Sequence, residues 1–355
     1  MKTYECDILI VGAGPAGSSA ALIAARKGLR VLMVECRSKV GVPVRCAEHI
    51  PKPLLGEINL GRHFIVQPVS GMRTILPDGE VMETPAPGFI VRRDIFDQTL
   101  ADAAKDSGAM ILLSTRALSK DNGEVVLKGT DGQLSKARAT VIIGADGPHT
   151  TVGKWFGSIN QNLIAAVQMR FSLCHPTAFT EVYFDKEFFG GYAWLFPKGN
   201  EANVGLGMRK QGSERRSIGN VLDHFVSRLI KDGRIRGKPY GRTAGWIPAE
   251  PIRTVVHGNM LLVGDAAGQT HPITGAGLQQ AVICGRMAGE CAVTAIRKGN
   301  LGLLSEYETE YRDLFGDMLN RGFERRQMLE QQWDRLEKII KSCWIAFGEY
   351  YARSR

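Results

Sequence analysis

Cys6-Asp7-Ile8-Leu9-Ile10-Val11 is an almost unbroken apolar run. Such a run reads as a strand covered on both faces, as in a parallel sheet. Gly12 to Gly17 form a turn, and Pro15 suits a first helical turn because its missing N–H is not needed there. Residues 16–27 are Ala-rich and helical, Gly28 stops the helix, and Val31-Leu32-Met33-Val34 is the next strand. The pattern predicts a strand–helix–strand unit closed within about thirty residues. Residues 38–60, rich in Pro and Gly, read as a long loop. A helix is expected over about 93–107, then short strands near 110–115, 123–128 and 139–143.

From about 155 to 250 the character changes. Segments 164–172, 180–185, 192–196 and 202–208 are short, alternating, and carry Val, Tyr, Phe and Trp. They predict an antiparallel sheet. The earlier pattern returns at Met260-Leu261-Leu262-Val263-Gly264-Asp265, followed by a long helix from about 275. Residues 304–347 are expected to be helical. Leu329, Trp333, Leu336, Ile340 and Trp344 make one apolar face, and Arg325, Arg326, Arg335, Lys338 and Lys341 lie elsewhere around it. Two readings stay open: a helix packed on the body with a solvated basic face, or contact with an anionic membrane.

The 355 residues suit about two domains. A net charge of +9 points to an anionic partner: a pyrophosphate cofactor, a phosphorylated substrate or a lipid surface. No basic block with interleaved aromatics occurs, so nucleic acid is not expected. Seven cysteines without a CxxC pair argue against zinc or a disulfide framework and for a reducing, cytoplasmic setting. No metal site is expected. The start runs straight into a strand, so no signal peptide is expected, and no apolar run is long enough to span a bilayer.

Gly12-Ala13-Gly14-Pro15-Ala16-Gly17 matches GxGxxG between a strand and a helix, and Glu35 follows at the end of the next strand. In that setting Gly12 permits the tight turn, Gly14 lets a pyrophosphate approach the backbone, and Gly17 lets helix and strand pack closely. The helix start at Ala16 offers free N–H groups and a positive dipole end, and Glu35 would accept from ribose hydroxyls. This alone does not separate NAD from FAD. Val141-Ile142-Ile143-Gly144-Ala145-Asp146-Gly147 and Leu262-Val263-Gly264-Asp265-Ala266-Ala267-Gly268 are two further strands ending in Gly-Ala-Asp-Gly and Gly-Asp-Ala.

In that order, over residues 5–290, these segments resemble the flavoproteins that include p-hydroxybenzoate hydroxylase and geranylgeranyl reductase. The resemblance implies FAD, with Asp265 at its ribityl and pyrophosphate region and Asp146-Gly147 near the pyrophosphate. It places Gly275, Gly277 and Leu278 at the flavin pyrimidine, where a helix dipole favours the charge of the reduced ring. Arg93, in Arg93-Asp94-Ile95-Phe96-Asp97, matches an RxxFD whose arginine contacts FAD, and Ala117 would meet the adenine through its backbone. Implied with it is an α/β fold: a Rossmann-type FAD domain over 1–154 and 251–300, a mainly antiparallel substrate domain inserted at 155–250, and a helical segment at 301–355.

Two segments narrow the resemblance to the geranylgeranyl reductase family. Gly41-Val42-Pro43-Val44-Arg45-Cys46-Ala47-Glu48 is similar to that family's GxPxRCxE loop, whose cysteine sits beside the flavin ring. Gly191-Tyr192-Ala193-Trp194-Leu195-Phe196-Pro197-Lys198-Gly199 is similar to its YxWxFPKG strand, which lines the prenyl cavity. Tyr192, Trp194 and Phe196 share one strand face and make an apolar wall. The family loop usually continues with Gly where this chain has His49. The resemblance implies reduction of C=C bonds in a geranylgeranyl chain on a lipid, a diphosphate or a quinone. Cys46, His49 and Tyr192 are candidates for the proton donor or for positioning. Arg45 and Ala47 are expected near the flavin, with Arg45 able to hold a phosphate instead.

No second GxGxxG occurs, and Gly205-Leu206-Gly207 does not complete one. The electron donor is therefore left open among transient NADPH, ferredoxin and quinol. A flavin monooxygenase acting on an aromatic shares every FAD motif but not the Arg-Cys loop. A non-catalytic prenyl carrier on the same scaffold would not need an intact pyrophosphate turn.

Overall fold

The computed structural model describes residues 1–209 and 217–352. The strand Lys2–Val11, the helix Pro15–Arg26 and the strand Val31–Val34 form the expected unit. Ile8, Leu9 and Ile10 are fully buried, as a strand covered on both faces requires. Val31–Val34 and Leu134–Gly144 pair in parallel with Lys2–Val11, Met260–Leu262 pairs in parallel with Leu134–Gly144, and Met110–Leu112 completes the parallel core. A hairpin of Thr115–Asp121 and Glu124–Gly129 belongs to this eight-stranded sheet, joined through Leu134–Gly144.

Helix Leu278–Arg297 lies against helix Pro15–Arg26 because glycine removes the obstruction. A Cβ at Gly285 would stand 2.2 Å from the Ala16 carbonyl oxygen, and one at Gly289 would stand 2.7 Å from that of Ala20. This helix begins at Leu278, three residues later than expected, after a glycine-rich turn.

The second sheet has nine strands and corrects the expected domain limits. Leu163–Leu173, Phe179–Tyr183, Tyr192–Lys198 and Glu201–Met208 match the sequence reading closely. Three more strands come from before residue 154: His49–Pro51, Ile65–Ile75 and Val81–Val91. The sheet is therefore not a simple insertion at 155–250. The 38–60 segment is also not all loop, since it contains His49–Pro51 and the short helix Leu54–Glu57. Polar alternation along Val81–Val91 is broken by two prolines, which hid that strand. Most neighbours are antiparallel; Phe179–Tyr183 with Ile65–Ile75 is parallel.

Helix Ile218–Lys231 covers one face of this sheet, packing Leu222, Phe225 and Leu229 on Ala193, Leu195 and Val204. The opposite face carries Tyr192, Trp194 and Phe196. The C-terminal segment closes over it. Helix Leu304–Gln331 stops at Gln332, and Leu336–Cys343 follows. Leu329, Trp333, Leu336, Ile340 and Trp344 are all buried in one cluster with Leu76, Val182, Phe184 and Ile273. The apolar face is thus spent within the molecule. Arg325 and Arg326 are buried too, against the expectation of a solvated basic face, while Arg335 and Lys338 are exposed as expected. Arg325 donates to the Tyr350 carbonyl at 3.2 Å, and Arg326 donates to those of Pro272 at 2.6 Å and Gly190 at 2.8 Å. Carbonyls of chain segments that periodicity cannot see decide their burial.

Candidate active site

The three strand-end motifs converge on one turn. Gly12 adopts φ +102°, and a Cβ there would lie 2.3 Å from the Ala145 oxygen, so only glycine fits between the first motif and Asp146. A Cβ on Gly17 would strike the Gly12 oxygen at 2.0 Å, and one on Gly264 would touch Ala16 Cβ at 3.0 Å. Gly14 differs: an added Cβ meets no protein atom within 4 Å. It stands at the start of helix Pro15–Arg26, which has no side-chain cap. Helix Leu278–Arg297 likewise begins at Gly277 without a side-chain cap. Two helix starts thus offer N–H groups, with open space before Gly14, which fits a pyrophosphate and a flavin. Glu35 closes the turn by accepting from the amides of Ala13 and Arg37, both at 3.0 Å. Thr115 donates to the Glu35 carbonyl at 2.8 Å, so the strand holding Ala117 runs beside it.

The two aspartates differ. Asp146 accepts from Thr150 Oγ1 and the Thr151 amide, both at 2.6 Å, and so holds the short helix Thr151–Lys154. Its carboxylate is engaged within the protein, beside Gly147. The Asp265 carboxylate, among the described residues, accepts one hydrogen bond, from Thr270 Oγ1 at 2.8 Å. A Cβ at Gly277 would lie 2.7 Å from Thr270 Oγ1 and 3.5 Å from Asp265 Oδ1, so the Gly-Asp strand end meets the start of the long helix here. Burial pushes the Asp265 carboxyl up, and the Arg93 charge offsets part of that rise. Arg93 itself is half-buried and pairs with Asp97 through two bonds, at 2.9 and 3.0 Å. Asp97 was legible as the end of RxxFD, four residues along one helix, but the sequence reading gave it no role.

The Arg-Cys loop sits between these groups and the aromatic strand. Register aligns Trp194 with Gly205, Gly205 with Gln168, and Gln168 with Thr243. Trp194 Nε1 donates across the gap to Gln168 Oε1 at 3.0 Å, and Gln168 Nε2 donates to the Cys46 carbonyl at 3.1 Å. Asn203 Nδ2 donates to the Ala47 carbonyl at 3.2 Å. Gln168 and Asn203 had no signal in the sequence beyond being polar within apolar strands. Gly205-Leu206-Gly207 also gains a reason: a Cβ at Gly205 would lie 2.5 Å from the Trp194 indole. Cys46 is half-buried. Arg45 is exposed, lies along Gly245, and has no ion pair among the described residues.

His49 meets Phe196 edge to face at 6.2 Å, and its Nε2 is buried without a hydrogen-bond partner. Burial lowers its pKa to about 4, so the ring is neutral at pH 7. Tyr192 donates to the Thr274 carbonyl, beside Gly275. Tyr192 also packs on Trp194 at 6.1 Å and on Trp344 at 5.3 Å. The expected wall is therefore present, and the C-terminal segment covers its far end. Among the described residues no cluster of metal-ligand type occurs.

The family model for the geranylgeranyl reductase catalytic domain matches residues 164–237, and that for FAD dependent oxidoreductases matches residues 7–42. The chain is 36% identical to the digeranylgeranylglycerophospholipid reductase of Methanothrix thermoacetophila, over 95% of its own length and 91% of that protein's. It is 35% identical to the enzyme of that name from Methanosarcina mazei, over 96% and 84%. A solved geranylgeranyl bacteriochlorophyll reductase-like protein from Thermoplasma acidophilum superposes with a TM-score of 0.87 at 29% identity, covering 99% of this chain and 94% of that one. Aklavinone-11 hydroxylase, solved with FAD and aklavinone, shares the fold at a TM-score of 0.74 and 20% identity, covering 96% and 71%. Likeness of this extent, on a scaffold whose glycines leave room for a dinucleotide, is decisive: the chain is an FAD-dependent oxidoreductase and belongs to the geranylgeranyl reductase family.

Proposed function

We propose that this chain saturates C=C bonds in the geranylgeranyl chains of a glycerophospholipid. The observation that carries the reading is the Trp194–Gln168–Cys46 connection, which ties the apolar wall to the loop on the flavin side. Gly12, Gly14, Ala16, Gly17 and Glu35 would hold the ADP half of FAD, with Ala117 beside the adenine. Arg93, Asp146, Gly147, Asp265, Gly275, Gly277 and Leu278 would hold the rest, with Arg45, Cys46 and Ala47 along the ring. Bound and reduced, FAD supplies the hydride for one alkene carbon. An isolated alkene accepts hydride poorly, so the dry wall of Tyr192, Trp194 and Phe196 must place it accurately.

The neighbouring carbon needs a proton. Tyr192 already commits its hydroxyl hydrogen to a hydrogen bond with the Thr274 carbonyl, and burial pushes its pKa above the usual phenol range. It is better suited to joining the aromatic strand to the 271–277 turn. Cys46 Sγ accepts the Glu48 amide at 3.2 Å, and neutral His49 has an uncommitted Nε2. Cys46 is the proton-donor candidate we retain, and neutral His49 is retained as a positioning candidate. Exposed Arg45 suits the phosphate of a lipid head group.

The net charge of +9 suits peripheral contact with an anionic membrane. No helix among the described residues is long and apolar enough to cross one. Seven unpaired cysteines suit the cytoplasm. NADPH, ferredoxin and quinol remain the donor classes to compare.

The test is anaerobic. The FAD-loaded protein is reduced with dithionite and mixed with digeranylgeranylglycerophospholipid. Flavin reoxidation with a lipid mass gain of two hydrogens per bond is expected. In a parallel aerobic arm with an aromatic substrate added, reoxidation that needs oxygen and hydroxylates the aromatic would make the protein a monooxygenase instead.

A further inference from the structure

Glu48 closes the Arg-Cys-x-Glu run, and its carboxylate is only 1% exposed. A buried carboxylate needs partners on both oxygens, and this one has them. Oε1 accepts the amide of Arg93 at 3.0 Å. Arg93 is the first residue of helix Arg93–Asp106, which has no side-chain cap of its own. Glu48 therefore caps that helix from outside, where the helix dipole favours its charge. Oε2 accepts from Lys198 Nζ at 2.5 Å and from Asn203 Nδ2 at 2.9 Å. Lys198 ends the aromatic strand, and Asn203 stands on the next one.

The backbone of Glu48 adds a fourth link. Its φ of +71° lies in the left-handed region, which residues other than glycine rarely adopt. That turn sends the carboxylate inward while the Glu48 amide donates to Cys46 Sγ at 3.2 Å. The Glu48 carbonyl accepts from the Val91 amide at 2.8 Å, which holds the turn in place. One residue thus connects the cysteine thiol, the helix bearing Arg93 and Asp97, and the end of the substrate wall.

We propose that Glu48 is a positioning residue: it sets the Cys46 thiol between the flavin side and the isoprenoid wall. The assignment rests on the reading of that wall and the Cys46 loop as one reductase site. Lys198 is its electrostatic partner, so removing either should release the thiol. The junction bonds to Arg93, Cys46 and Ala47 at the flavin end but not to the pyrophosphate turn around Gly12–Gly17, so that turn should still hold the cofactor.

The experiment compares the FAD-loaded wild type with Glu48→Gln, Lys198→Met and the double variant. Three quantities are measured: FAD content, the iodoacetamide alkylation rate of Cys46 followed by peptide mass, and kcat and KM with digeranylgeranylglycerophospholipid. Expected are unchanged FAD content, Cys46 alkylation altered by about fivefold, and kcat lowered roughly tenfold at nearly constant KM. The double variant should lose no more than the worse single one, because both act through one ion pair. Cys46 alkylation and kcat within about twofold of wild type in both single variants would overturn the proposal. So would a loss of thermal stability and FAD together with no change specific to Cys46. If Glu48→Gln does not fold, Lys198→Met carries the same measurements. A wild type that reduces no geranylgeranyl lipid would defeat the proposed function, while the alkylation rates would still decide the role of Glu48.

Discussion

The indole N–H of Trp194 meets Gln168 Oε1 at 3.0 Å over a position where the intervening strand carries only Gly205. An indole N–H can only donate, so it fixes which end of the Gln168 amide faces it. The other end then has only a donor to offer, and the Cys46 carbonyl takes it at 3.1 Å. Orientation of the Cys46 loop is thereby made dependent on the aromatic strand.

Gln168→Glu separates the two bonds. The carboxylate still accepts from Trp194 but repels the Cys46 carbonyl. A fall in kcat of roughly tenfold is expected, with Gln168→Leu, which breaks both bonds, at least as impaired. Combining Gln168→Leu with Trp194→Phe should cost little beyond the single changes. Full additivity of the effects on kcat in that double-mutant cycle would show that the two side chains act independently.

Gly12→Ala and Gly14→Ala should fail differently. At Gly12 the methyl would collide with the Ala145 carbonyl in a left-handed turn, so the apoprotein should lose about 2 kcal/mol or more of stability. At Gly14 the methyl meets no protein atom within 4 Å, so apoprotein stability should hold while FAD affinity falls about tenfold or more. Denaturant melts and fluorescence titration with FAD decide this. Equal FAD affinity for Gly14→Ala and wild type would remove the pyrophosphate from that position.

Asp97→Asn leaves the Arg93 guanidinium buried without its counter-charge. Both side chains are nearly inaccessible, at 14% and 8% exposure, so solvent screens little of this loss. The expected destabilisation is about 3 kcal/mol by urea unfolding. A cost under about 1 kcal/mol would mean that another group neutralises Arg93.

His271 predicts an acid limb in stability. Its Nδ1 accepts the amides of Ile273 and Thr274 at 3.3 and 3.2 Å, so the ring proton sits on Nε2, facing Tyr350. Burial lowers its pKa from 6.5 to about 4. The unfolded chain therefore binds more protons than the native one between those values. The contribution is complete above pH 6.5 and is lost as pH falls toward 4, about 3 kcal/mol in all. His271→Asn keeps an acceptor for the two amides and removes the titration. Its unfolding free energy should fall less steeply over that window, and a slope equal to wild type would exclude His271 as the source. His49 shifts in the same direction, so His49→Asn should flatten the limb further.

The sequence alone determined the dinucleotide half. Gly12, Gly14, Gly17 and Glu35 lie within one strand–helix–strand unit, where spacing dictates geometry because 3.6-residue and two-residue periods act over short range. It also determined that Tyr192, Trp194 and Phe196 share a face, since alternation is a local property of a strand. Tertiary structure decided what those residues touch. Gln168 reaches Cys46 across 122 residues of sequence, and Lys198 reaches Glu48 across 150. It moved three early strands into the nine-stranded sheet, buried Arg325 and Arg326, and laid Trp344 over the aromatic strand. A hydrogen-bond partner is chosen by where the backbone brings it, and closing a long loop leaves no periodic mark on the chain.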